Sequence, residues 1–171
     1  PEAAFIWEVL EDSSVAAGVR AAMEVSGRAL RKEYPGVFSF GEINGHIDDL
    51  LHRFANRSLG DTVYRVGRDL ARKLHRRDRV VGALALAQKH ELDTTSSLAV
   101  FRAALGFAAP APDGRPDSRD AEVRNLAARS SRFLKEIVQI DRAGEPELYR
   151  FLELELMGPG RSGKGKAGRL Q

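Results

Sequence analysis

A chain of 171 residues can form one domain with a sizeable core, since a chain of this length buries roughly 70% of its unfolded surface. Its 43% hydrophobic and 30% charged content is that of a globular fold; no apolar run approaches the ~20 residues of a membrane span, and the lack of cysteine excludes disulfides, thiolate metal sites and cysteine nucleophiles. The sequence pI near 9.5 points towards nucleic acid, but Arg161, Lys164, Lys166 and Arg169 all stand after Gly158, and without those four charges the net charge falls from +3 to −1.

The N-terminal Pro1-Glu2-Ala3-Ala4 carries no charged region ahead of a long apolar stretch, which predicts no signal peptide and a cytoplasmic protein. Val15, Val19 and Met23 recur every four residues and Leu30 continues that face, with Asp12-Ser13-Ser14 ahead of it as N-cap chemistry and Pro35-Gly36 as its stop. Val37-Phe38-Ser39-Phe40 is the single short strand candidate. Asn44-Gly45 reads as a turn, which puts His46 at a helix start, where a structural role is favoured over capping or lining a cleft. Ile47, Leu50, Leu51 and Phe54 then form an i, i+3, i+4, i+7 stripe with one buried face.

Val80, Val81 and Leu84 mark another helix after Asp78, and Leu98, Phe101 and Leu105 a further one with Thr94-Thr95-Ser96 as candidate caps. Ala109 to Pro116 is a loop, because its three prolines fix φ and remove donors. Phe133, Ile137 and Ile140 follow, then Leu148, Phe151, Leu152 and Leu156. The fold expectation is all-α: a multi-helix array over residues 1–157, then a flexible, disordered basic tail over 158–171.

Two motifs in that tail lack the context their chemistry requires. Gly158-Pro159-Gly160-Arg161-Ser162-Gly163 matches G-x-G-x-x-G, which binds dinucleotides between a strand and a helix, but here it follows a helix. Gly158 to Lys164 also resembles a phosphate-binding loop, yet Gly165 stands where the magnesium-binding Ser or Thr belongs. His46, His52, His75 and His90 include no pair at helical metal-ligand spacing, so no metal site is expected.

The dense basic segment is Arg65, Arg68, Arg72, Lys73, Arg76, Arg77 and Arg79, with Asp69 and Asp78 the only acids among them. Arg65, Arg68 and Arg72 fall at i, i+3, i+7, so they can share one helix face and grip a phosphate bidentately, with Lys73 as a point charge. A solvated helical face accounts for the same pattern. Nucleic acid is disfavoured as a partner, because only Tyr64 stands near for base stacking.

The run from Arg53-Phe54-Ala55-Asn56 through Leu59-Gly60-Asp61 to Arg65-Val66-Gly67-Arg68 and Arg72-Lys73-Leu74, closed by Asp78-Arg79, resembles a family signature. The signature is R-F-x-N-x-x-L-x-D, a spacer, R-V-G-R-x-x-x-R-K-L and then D-R, as in the C-terminal domain of mannitol-1-phosphate 5-dehydrogenases and related polyol-specific long-chain dehydrogenases. Ala22-Met23-Glu24-Val25-Ser26-Gly27 resembles the preceding helix of that family, and the resemblance covers roughly residues 3 to 157. It implies a two-domain enzyme, in which an N-terminal Rossmann domain binds NAD and an all-helical C-terminal domain closes the substrate cleft. The reaction it implies moves a hydride between nicotinamide and a ketose or polyol, without a metal.

In the wider family an arginine and a lysine eight residues later contact the substrate, a spacing met by Arg65 and Lys73; Arg68 and Arg72 follow as phosphate or structural partners. Two departures stand out. The family's catalytic K-x4-N-x2-H is absent, since no lysine has an asparagine five residues on, and it lies upstream of the stretch that matches Phe5 onward. Many members also carry proline where Leu70 or Ala71 stands. The expectation is therefore a domain that binds sugar or polyol phosphate, without catalytic residues of its own, partnered by a missing Rossmann domain and inactive alone. The alternative is a stand-alone sugar-phosphate-binding or regulatory module, and the arginine-rich motif favours a phosphorylated over a free polyol.

Overall fold

The computed structural model describes residues 3–158 and is all-helical; no strand forms among those residues, and none of their helices is long and apolar enough to cross a membrane. In chain order the helices are α1 (Ile6–Val9), α2 (Ser13–Glu33), α3 (Phe40–Ala55), α4 (Val63–Gly67), α5 (Leu70–Lys73), α6 (Val81–Lys89), α7 (Thr95–Gly106), α8 (Ser118–Ala127), α9 (Ser130–Phe133) and α10 (Pro146–Met157). A 3-10 turn at Arg57–Leu59 precedes α4, and a π-helical turn at Leu134–Val138 continues α9. The stretch from 159 onward, which carries most of the predicted basic tail and its glycine motifs, lies outside the described residues.

Capping chemistry sets the helix starts. Asp12 accepts from the backbone N–H of Ser14 (2.8 Å) and Val15 (3.4 Å), as its position ahead of α2 predicts. At α3 the Ser39 hydroxyl accepts from Glu42 N–H (3.1 Å), while the Glu42 carboxylate accepts from Ser39 N–H (2.8 Å), a reciprocal capping box. That box overturns two expectations. Val37 and Phe38 lie in the bend before the helix rather than in a strand, and Asn44-Gly45 lies inside α3 rather than in a turn. His46 accordingly sits exposed in mid-helix rather than at a helix start. At α7 the expected Thr/Ser cap is supplied instead by Asp93, which accepts from Thr95 N–H (2.9 Å) and hydroxyl (2.6 Å). The loop at 109–116 is present as predicted, and α8, which follows it behind the cap Asp117, has no counterpart in the apolar pattern.

The main core joins α5 to α10: Leu70, Leu74, Val81, Leu84, Leu98, Phe101, Val123, Phe133, Leu134, Val138, Ile140, Leu148 and Leu152 form one buried cluster. The Phe133/Ile137/Ile140 spacing is not one α-helix; the π turn and the left-handed Gln139 (φ 63°) let Leu134 and Val138 enter the core as well. Helix α2 runs between α3 on one side and α6 and α7 on the other, so it has two packing faces. Its fully buried residues are Val25, Gly27 and Ala29, while Val15 of the predicted stripe is exposed. The approach of α2 to α3 is so close that a Cβ on Gly27 would lie 2.3 Å from Ile43 Cγ2. An Arg20–Asp48 ion pair at 2.6 Å spans the same interface.

Replacing Phe101, which is fully buried, with Ala should lower unfolding free energy by about 3–5 kcal/mol in urea titrations. Acid should weaken the fold through its caps. Hydrogen bonds from Ser14 and Val15 hold Asp12 below the ordinary carboxylate range, and bonds from Thr95 do the same for Asp93. Groups so depressed stabilise the fold above their unfolded pKa and lose that contribution as pH falls through the folded value. Melting temperature should therefore hold from pH 7 to about 5 and drop below about pH 4, a trend that Asp12→Asn and Asp93→Asn together should flatten.

Candidate functional site

The segment from Asp61 to Lys73 is pinned before it turns. Ile6 N–H donates to Asp61 C=O and Val63 N–H to Ala4 C=O, both at 2.9 Å, around an isolated antiparallel bridge between Phe5 and Thr62. The Thr62 hydroxyl caps α4 by accepting from Arg65 N–H at 3.1 Å. Gly67 at the end of α4 lies under the Phe107 ring, where an added Cβ would come within 2.1 Å of Cε2. Arg124 of α8 donates to the Phe107 carbonyl, which ties that backbone to α8.

The arginines do not share a single helix. The chain leaves α4 at Arg68 (φ −59°, ψ 170°), passes through a left-handed Asp69 (φ 70°, ψ 53°), and begins α5 at Leu70. This break corrects the expectation that Arg65, Arg68 and Arg72 align on one helical face. Its cause is Asp120 of α8, only 2% exposed, whose carboxylate accepts from Leu70 N–H (2.7 Å) and Asp69 N–H (3.0 Å). Those backbone bonds stabilise a conformation that a non-glycine residue otherwise adopts at a cost. Nearby, Asp117 accepts from the Tyr64 hydroxyl at 3.0 Å, so α8 grips the segment on both sides of the kink.

Each predicted site residue has a definite place. Arg65, exposed on α4, pairs with the nearly buried Asp61 one turn earlier. Arg68 lies over the Tyr64 ring, 5.6 Å from its centroid. Arg72 pairs with Asp69 (2.6 Å) and reaches Asp78 (3.7 Å), and its pKa is raised, mainly by the hydrogen bond to Asp69. Lys73 turns back across the kink and donates to the Arg68 carbonyl. Burial lowers the Lys73 pKa, and the charges of Arg72 and Arg79 lower it further against the opposing pull of Asp69 and Asp120. The kink thus brings Arg68 and Lys73 together, while Arg65 and Arg72 are oriented by carboxylates of their own segment.

The wider basic segment is largely neutralised locally. Arg76 meets Glu145 at 2.6 Å and Arg79 meets Asp78 at 3.0 Å. Burial raises the Asp78 pKa, but the hydrogen bonds from Arg79 and the charges of Arg79 and Arg72 outweigh it and leave the group depressed. Cations matched to carboxylates in this way are poorly arranged to track a phosphate backbone. Among the described residues no group of three or more His, Asp or Glu side chains is gathered as for a metal ion.

Two residues that shape the site were not singled out from the sequence, Asp117 and Asp120. Asp117 carries a legible signal, an acid just after Pro116 at a helix start, where it caps α8 through Arg119 N–H (3.1 Å) and Asp120 N–H (3.2 Å). The partners of Asp120 stand about fifty positions earlier and leave no local trace.

Residues 2–132 match the family described as the mannitol dehydrogenase C-terminal domain. The chain is 34% identical over 126 residues to a mannitol-1-phosphate 5-dehydrogenase of Arthrobacter sp. (strain FB24), covering 74% of this chain and 31% of that protein. It is 35% identical over 121 residues to a protein of the same name from Paenarthrobacter aurescens (strain TC1), covering 71% and 30%. A third such protein, from Pseudarthrobacter chlorophenolicus, is 34% identical over 122 residues, covering 71% and 29%. The chain thus spans less than a third of the length of these relatives.

The contact under Phe107 yields a test of the local packing. Gly67→Ala must push the ring aside and should destabilise the protein by about 1–3 kcal/mol. Urea unfolding with the parent's midpoint would refute that close approach.

Proposed function

Because the chain belongs to the mannitol dehydrogenase C-terminal domain family, we propose that it is the substrate-binding part of an NAD-dependent dehydrogenase interconverting mannitol 1-phosphate and fructose 6-phosphate. The observation that carries this reading is the placement of Arg65 and Lys73 on either side of the Asp69 kink, in a backbone tied to the rest of the fold. Leu70 and Leu74, 1% and 0% exposed, anchor the segment between and beyond them in the core, while Arg65 stays at the surface. A polyhydroxylated anion needs donors whose positions are fixed before it binds, because freezing mobile side chains on binding reduces affinity.

In this reading Arg65 and Lys73 hold the sugar, and Arg68 and Arg72 serve the phosphate end or orient their neighbours. Arg72 is engaged by Asp69 and Asp78, so its first effect is on the shape of the turn. The described residues contain no strand leading through a glycine-rich turn into a helix, so they do not fit the pyrophosphate of a dinucleotide. NAD, which carries the hydride, is assigned to a domain outside this chain. The chain also holds no Lys-Asn-His set at the family's spacing, so it binds and orients substrate while the proton is handled elsewhere. A cytoplasmic enzyme fits this assignment.

The assay is NADH oxidation with fructose 6-phosphate by the complete protein that carries this chain. Arg65→Ala and Lys73→Ala should each raise KM for fructose 6-phosphate about 10- to 100-fold, the loss of a charge-assisted hydrogen bond, with KM for NADH unchanged. Free fructose should be the poorer substrate of the parent and should lose less on mutation. Unaltered sugar-phosphate kinetics in both variants would remove Arg65 and Lys73 from the site. Sugar phosphate bound without turnover would instead favour a binding or regulatory module.

A further inference from the structure

The buried carboxylate of Asp120 stands outside any direct role in gripping a sugar, yet the geometry of the site runs through it. A carboxylate that is 2% exposed is tolerated only when its oxygens are satisfied, and those of Asp120 take Leu70 N–H at 2.7 Å and Asp69 N–H at 3.0 Å. Among the described residues, Asp69 shares a positive φ with only two other non-glycine residues, Glu91 and Gln139. The left-handed turn at Asp69 reverses the chain so that the Arg68 carbonyl receives Lys73 Nζ. Neither the Asp69 nor the Leu70 N–H group makes a backbone hydrogen bond, and α5 begins with no side-chain cap from Asp69 itself.

We propose that Asp120 is a positioning residue: by holding the N–H groups of Asp69 and Leu70 in the left-handed turn, it sets where Lys73, and across the turn Arg65, present their charges to the substrate. This rests on the assignment of Arg65 and Lys73 to the substrate. Asp120 also acts on Lys73 through space. The charged groups that bear on the Lys73 ammonium are Arg72 and Asp69 from its own segment, Arg79 from the approach to α6, and Asp120 from α8. Asp120 is the one of these fixed in place by burial, so its negative charge opposes the loss of the Lys73 proton from a set position.

The test uses the complete protein with Asp120→Asn, which keeps the shape and one acceptor oxygen but removes the charge. Two readouts are taken. The first is the pH dependence of acylation of Lys73 by a small amine-reactive reagent, followed by peptide mass spectrometry, which needs no substrate. The second is KM for fructose 6-phosphate beside NADH binding. The expected result is a labelling midpoint moved to lower pH, KM raised about tenfold and NADH binding unchanged. Asp69→Gly, which adopts the left-handed turn without strain, should recover part of the lost KM when combined with Asp120→Asn.

A folded Asp120→Asn protein with the parent's labelling profile and KM overturns the proposal. So does a failure of both variants to fold, since Asp120 would then hold the domain together rather than place Lys73. Lys73→Ala, run in parallel, separates the two ideas. If it leaves KM untouched while Asp120→Asn still moves the labelling midpoint, the substrate assignment fails and the coupling of Asp120 to Lys73 stands.

Discussion

The left-handed turn at Asp69, locked by a buried carboxylate from a helix about fifty residues further on, is the constraint around which the basic segment is organised. A continuous helix from Val63 to Lys73 would lay the arginines along one edge. The break lets α5 dive into the core through Leu70 and Leu74 while α4 remains outside with Arg65 exposed. The result is a short reversal whose backbone is tied at the Phe5–Thr62 bridge, at Tyr64 and at Asp69–Leu70. Rigidity of this kind comes from backbone and side-chain bonds to separate parts of the fold, so no one local contact has to supply it.

Charge follows the same logic. Most arginines of the dense segment meet a carboxylate: Asp61, Asp69, Asp78 or Glu145. The exposed pair among these, Arg72 with Asp69, contributes little stability. The effect of these pairs is orientational: they fix which way each guanidinium faces and cancel the long-range field that would draw a polyanion. What remains is a locally arranged set of donors rather than a continuous basic surface.

Much of the architecture was legible in the sequence because helices report themselves by spacing. The all-helical class, the cap at Asp12, the loop at 109–116 and the core roles of Val81, Leu84, Leu98, Phe101, Phe133, Leu148 and Leu152 follow from apolar period and turn chemistry. The structure departs from the sequence pattern where two local signals compete. Val37 to Phe40 has strand-like residues, but the reciprocal bonds of Ser39 and Glu42 start a helix there and carry it through Asn44-Gly45. Helix α8 leaves no apolar stripe in the sequence, because its polar face dominates and Val123 alone of its apolar residues is buried.

By itself the sequence determined the fold class, the family and the residues of the basic segment, since periodicity, capping and a dense signature are properties of neighbouring positions. Only the tertiary structure decided how that segment is bent, which arginines face carboxylates, and that Lys73 turns back on the Arg68 carbonyl. The physical reason is that the bend depends on Asp120, and a hydrogen bond closed across fifty residues of chain exists only once α8 has packed against α5. The i, i+3, i+7 spacing of Arg65, Arg68 and Arg72 is compatible with one continuing helix. The packed core and one buried carboxylate decide against it.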